Sequence, residues 1–189
     1  MNNRLLLRKI SQETPNPEQG LSLTKEFNVG SGIDKDEINE LVKCVFALDV
    51  TGLDGSSGGL IHEQGAFGTG SYVGFRPNGD FVLRFGDGAL PWSNDTAYML
   101  IPQVDAPSGD GTMVYAFELG IDTNIRIFWN GQEIGSAVVV NNVNEWAGNN
   151  TGGYMFLGGG STAEGEVDTV VPYTTASKLR YYENQEIQI

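Results

Sequence analysis

The stretch Leu60–Gly88, LIHEQGAFGTGSYVGFRPNGDFVLRFGDG, decides the fold class of this chain. Before its centre, Tyr72, Gly74 and Arg76 fall on one side and Val73 and Phe75 on the other. After it, Phe81, Leu83 and Phe85 alternate with Val82 and Arg84. A side-chain period of two belongs to a strand, because successive residues of a pleated chain face opposite ways. The two runs are joined by Pro77-Asn78-Gly79-Asp80. Proline presets φ at the start of a turn, and Asn and Gly accept the positive φ that tight hairpins need. The reading is a β-hairpin entered through a glycine-rich strand.

Working outward, the same alternation recurs. Leu21–Val29, Cys44–Val50, Ala97–Gln103 and Met113–Leu119 read as strands, with Val104–Gly111 as a loop between the last two. Asn124–Trp129 and Gln132–Val139 flank Asn130-Gly131, the strongest short hairpin signal. Tyr154–Leu157, Glu166–Val171 and Lys178–Glu183 complete the set. One segment differs: Asp34 can cap a helix with Glu37 three residues on, and Ile38, Leu41, Val42 and Val45 follow helical spacing, although Val45 also falls in the strand run Cys44–Val50. The expected architecture is all-β, a sandwich of ten or more short strands with one short helix near residues 34–43. Residues 1–20 read as an N-terminal arm and 21–189 as a single domain. Within the arm, Arg4–Ile10 is a short strand and the remainder is broken by proline.

Composition sets the outer bounds. The chain has 189 residues, enough for one sandwich, and 40% of them are apolar, enough for a core. Its net charge of −13 argues against nucleic acid, whose phosphates call for clustered Lys and Arg. Arg4, Arg8 and Lys9 sit in the first ten residues without an acid, so residues 11–189 hold 8 bases against 24 acids, a net of −16. A basic arm on an acidic body can pair with its own body or with another copy. Cys44 is the only cysteine, which excludes an intrachain disulfide and a cysteine metal site. No run approaches the ~20 apolar residues of a membrane span, and Leu5-Leu6-Leu7 is too short for a secretion signal.

The order of the strands resembles the concanavalin A-like jelly roll, in particular its laminin G-like branch. The resemblance rests on Cys44–Asp49 (CVFALD), Gly59–Gly65 (GLIHEQG), Tyr72–Gly86, Ile125–Gly131 (IRIFWNG), Tyr154–Gly158 (YMFLG) and Leu179–Tyr182 (LRYY). Together these cover roughly residues 21–185 and imply a jelly-roll β-sandwich. The scaffold serves lectins, glycosidases, adhesion modules and structural proteins, so the fold alone implies no reaction.

Chemistry is sparse. Some enzymes of the superfamily carry strand carboxylates in the order Glu-x-Asp-x-(x)-Glu, where one acts as nucleophile and another as proton donor. Here Glu166 and Asp168 are present, but Val170 or Val171 stands in place of the third acid. His62 is the only histidine and reads as a packed or hydrogen-bonded strand residue. No phosphate loop, dinucleotide fingerprint or zinc spacing occurs, and no enzyme is expected. For calcium, Asp54, Asp87, Asp105 and Asp110 lack the dense acidic spacing of an oxygen-ligand loop and read as turn acids. No cofactor is expected.

Two functions follow. The first is a non-enzymatic structural and assembly module at a virion surface, as a capsid decoration or tail-associated protein made in the host cytoplasm without a secretion signal. In it, Arg4, Leu5, Leu6, Leu7, Arg8, Lys9 and Ile10 dock on protein subunits of the same assembly by main-chain pairing, with a homo-oligomer as the expected state. The alternative is a lectin-like glycan-binding adhesion module. Sugars stack on exposed aromatic rings while polar groups take their hydroxyls. Trp92 with Asn94 and Asp95, and Trp146 with Asn149 and Asn150, each place a tryptophan in a polar loop suited to surface glycans.

Overall fold

The computed structural model describes residues 14–28, 43–54, 59–65, 69–76, 78–87, 96–118, 123–139, 154–157 and 175–188. Eleven strands fall within them. Strand β1 is Lys25–Asn28, β2 Lys43–Leu53, β3 Gly59–Gly65, β4 Thr69–Phe75, β5 Phe81–Asp87 and β6 Thr96–Ile101. The chain continues with β7 Gly109–Glu118, β8 Thr123–Trp129, β9 Gln132–Val139, β10 Tyr154–Leu157 and β11 Thr175–Glu183. A six-stranded sheet has the order β1-β11-β2-β7-β8-β9, and a five-stranded sheet the order β10-β3-β4-β5-β6. Every pairing is antiparallel. Two such sheets sharing one core make the expected jelly-roll β-sandwich.

The hairpin that decided the fold class forms as read. Phe75 faces Phe81 across the turn and the register runs without a slip to Thr69 and Asp87. The Arg76 N–H donates to the Asp80 carbonyl at 2.8 Å, and Gly79 sits at φ +84°, a left-handed conformation that side chains disfavour. Val73, Phe75, Phe81 and Leu83 are buried against the six-stranded sheet. The core between the sheets centres on Phe46, whose ring lies 5.1 Å from that of Tyr115 and 5.5 Å from those of Tyr181 and His62.

The six-stranded sheet has a second apolar layer on its outer side. Val45, Ala47, Val114, Phe128 and Tyr182 lie there with Ile187 of the C-terminal segment and, partly buried, Leu21. This explains the unbroken run Cys44-Val45-Phe46-Ala47-Leu48, all five buried: β2 is covered on both faces, so alternation is absent.

Several boundaries differ from the sequence reading. Of Leu21–Val29, the described ladder covers only Lys25–Asn28. The residues before it bond largely through side chains instead. Ser22 exchanges two hydrogen bonds with the Gln185 amide, its N–H to Oε1 at 2.7 Å and its carbonyl from Nε2 at 2.7 Å. Thr24 donates its N–H to the Tyr181 carbonyl at 2.9 Å and accepts the Glu183 N–H on Oγ1 at 2.9 Å. The loop read as Val104–Gly111 holds a 3-10 turn, Gln103–Asp105, and ends early because β7 begins at Gly109. Residues 14–20, read as part of a linker, lie on the outer face of the six-stranded sheet, with Pro17 buried. The expected helix near 34–43 lies outside the described residues except for Lys43, which opens β2. The expected strands Arg4–Ile10 and Glu166–Val171 lie outside them too.

Candidate functional site

The registers sort the strand ends of the sandwich into two groups. At one end, Leu53 and Gly109 pair, Phe75 faces Phe81, Phe81 faces Ile101, and Trp129 faces Gln132. This turn end is tied by polar side chains. Asp80 Oδ1 accepts the Gln103 N–H at 3.0 Å, Asn78 Oδ1 accepts the Asp80 N–H at 3.1 Å, and Asp110 Oδ1 accepts the Gly52 N–H at 2.7 Å. Asn130, at φ 49°, accepts the Thr112 N–H on its side-chain oxygen at 2.9 Å. Asp110 thereby acts as a turn acid, and among the described residues no three acidic, His or Cys side chains are grouped to hold a metal.

The other end is where both tryptophan segments attach. In the five-stranded sheet Tyr154 pairs with Gly65, Thr69 with Asp87, and Gly86 with Thr96. Residues 88–95, with Trp92, connect Asp87 to Thr96; residues 140–153, with Trp146, lead into Tyr154. Their attachment points on β5 and β10 are three strand positions apart, or about 14 Å at ~4.8 Å per strand. Trp92, Asn94, Asp95, Trp146, Asn149 and Asn150 themselves lie outside the described residues, as do Arg4, Leu5, Leu6, Leu7, Arg8, Lys9 and Ile10. The structure brings together the anchors of the two loops.

One row was not singled out from the sequence. Glu63 pairs with Tyr72, Tyr72 with Arg84, and Arg84 with Tyr98, so these positions form a line across β3, β4, β5 and β6. Tyr72, Arg84 and Tyr98 alternate in position along their strands with the core residues Val73, Leu83 and Met99. The signal was present in the alternation of Tyr72 and Arg84. The register that aligns the row was not, because it depends on turn geometry at three separate loops.

His62 is fully buried between the sheets, as its strand position suggested. Its Nδ1 lies 2.5 Å from the Tyr115 hydroxyl, and its Nε2 has no partner among the described residues. A buried orphan N–H costs more than a buried lone pair, which puts the proton on Nδ1, donating to Tyr115. Burial pushes the imidazole pKa down to about 3, so it is neutral at ordinary pH. A neutral, enclosed ring cannot reach a substrate. Its role is structural.

A dense charge cluster among the described residues also holds structure together. Arg180 donates from Nε and Nη2 to Glu18 at 2.7 and 3.0 Å, and from Nη1 and Nη2 to Asp49 at 2.7 and 2.9 Å. Tyr182 donates its hydroxyl to Glu18 Oε1, and Thr112 Oγ1 donates to Asp49 at 3.2 Å. The hydrogen bonds and charge of Arg180 hold the Asp49 carboxyl below its usual range. This cluster fastens residues 14–20 to β11. Arg126, bonded twice to Glu133 and lying over the Phe128 ring, similarly joins β8 to β9.

No protein-family model matches this chain, and no curated protein matches it significantly. Solved structures match its fold. The carbohydrate-binding module CBM40 of the Ruminococcus gnavus IT-sialidase, in a structure bound to alpha2,3 sialyllactose, superposes with a TM-score of 0.54 at 13% identity, over 86% of each chain. A NanB sialidase from Streptococcus pneumoniae gives 0.57 at 14% identity over 89% of this chain, and a leech intramolecular trans-sialidase 0.53 at 11% over 84%. This chain spans only 26% and 24% of those two enzymes. The likenesses place the chain among jelly-roll β-sandwiches. They do not single out the laminin G-like branch, and none supports a virion role or a homo-oligomer. Among the described residues no helix is long and apolar enough to cross a membrane.

Proposed function

We propose that this chain is a non-catalytic glycan-binding module, with its working surface at the loop end of the sandwich. Trp92 and Trp146 would provide stacking surfaces there, and Asn94, Asp95, Asn149 and Asn150 the polar partners for sugar hydroxyls. The observation that carries this reading is the attachment of both tryptophan segments to the same end of one sheet, at Asp87, Thr96 and Tyr154. The likeness to carbohydrate-binding modules supports it over the assembly role, and the sealed position of the one histidine supports the non-catalytic part of the reading. Arg84, in register between Tyr72 and Tyr98, would supply the cation that an acidic sugar needs.

A glycan array of the full chain tests the reading. We expect retention of a defined set of glycans, with sialylated lactose bound more strongly than lactose itself. An array on which no glycan is retained above background would overturn the function, and one on which only neutral sugars bind would remove the acidic preference.

A further inference from the structure

Two features meet at one corner of the molecule. The first is a groove between sheets. Strands β6 and β9 are edge strands of different sheets, with no strand partner on their outer sides among the described residues. They approach closely at Gly135, where an added Cβ would lie 3.0 Å from Met99 Sδ and 3.1 Å from Ile101 Cδ1. A groove of about 390 Å³ runs along this contact. Met99, Ile101 and Ile134 line it, with Asp105 and Glu133 as its acids. Leu100 beside it is 39% exposed.

The second is the place where the described chain begins. Residues 14–18 cross the outer face of the six-stranded sheet and reach the β8–β9 turn. There a Cβ on Gly131 would lie 2.1 Å from the Pro15 carbonyl oxygen and 2.8 Å from Thr14 Cγ2. Gly131 directly precedes β9. From Thr14, the four residues back to Ile10 can span about 13 Å, so Arg4–Ile10 is within reach of the free edge of β9. A segment that ends at the Gln132 side runs antiparallel to β9, the sense of every pair among the described strands. Its chemistry also fits: Leu5 and Leu7 share one strand face and suit an apolar groove, and Lys9, on that same face nearer the Gln132 side, suits Asp105.

From these we infer that Arg4–Ile10 pairs as an antiparallel strand along the outer edge of β9 of its own chain, with leucines in the groove between β9 and β6. The strand closes an edge that would otherwise invite pairing with other chains. The proposal is independent of glycan binding at the loop end.

Hydrogen exchange on the full chain and on a Leu5→Asp/Leu7→Asp variant tests it, with the mass in solution measured over a range of concentrations. The β9 amides that do not bond to β8 should exchange at least tenfold slower in the parent chain, and both chains should be monomeric. Equal exchange in the two chains overturns the proposal. Protection that appears only where the mass doubles also overturns it, because the arm then occupies the groove of a second copy. Should the aspartates prevent folding, Leu7→Pro removes one ladder donor. It should expose the same amides, and unchanged protection would again overturn the proposal.

Discussion

The two ends of this sandwich are built from the same strands and carry different connections. The turn end is short and internally bonded: Asn78, Asp80, Asp110 and Asn130 each spend their side chains on nearby backbone. The loop end holds the attachment points of two longer polar segments, each with a tryptophan, on one sheet. A rigid scaffold that closes one end economically can present variable loops at the other, the arrangement by which many sandwich domains bind ligands. The difference teaches that polar residues in loops are of two kinds here. Those whose hydrogen bonds are satisfied internally shape the fold, and under the proposed function the polar residues of the tryptophan segments serve a partner instead.

If that division holds, changes at the turn end should cost stability and leave binding intact. The largest effect is expected for Gly131→Val. Its φ of +82° is hostile to a side chain, and the new Cβ would meet the Pro15 backbone. We expect a loss of about 3 kcal/mol in denaturant unfolding, with glycan affinity unchanged at low temperature.

Next comes acid, which acts from the core beneath both ends. The pKa of His62 is about 3 in the folded chain against 6.5 in the unfolded one, so between those values only the unfolded chain takes up the proton. Its contribution to stability is complete above pH 6.5 and is lost as pH falls toward 3. At pH 5 the loss should be about 2 kcal/mol, and a His62→Leu variant should lack that part of the pH dependence. A parent chain with flat stability from pH 7 to 5 would contradict the buried neutral ring.

A smaller effect is expected for Asn130→Ala, which removes the bond to the Thr112 N–H and leaves a side chain at positive φ. About 1–2 kcal/mol should be lost, measured by thermal unfolding, again without a change in glycan affinity. A drop in affinity in either turn-end variant would break the division between the ends.

Much of the scaffold was legible in the sequence because its signals are local. Tyr72–Phe75 and Phe81–Phe85 alternate around Asn78-Gly79, and Asn130-Gly131 marks the β8–β9 turn, so both hairpins could be placed without the structure. What escaped notice depends on distant partners. Residues 14–20 read as part of a linker because Pro15 and Pro17 break them, yet Glu18 is bound by Arg180, 162 positions away. Leu21 to Thr24 alternate like a strand but bond to Gln185 and the Tyr181 carbonyl, so no full ladder forms. The burial of His62 could be suspected from its strand, but its partner Tyr115 comes from the other sheet. For the candidate site, the sequence supplied the two tryptophan loops, and only strand register could show that both attach to one end.

The most direct test measures affinity and melting together for Trp92→Ala and Trp146→Ala, using the glycan the parent chain binds best on the array. The account predicts at least about tenfold weaker binding for each variant, equivalent to about 1.4 kcal/mol, with the melting temperature moved by less than about 2 °C. Affinity that survives both substitutions, or that falls only together with the melting temperature, would contradict a binding surface at the loop end.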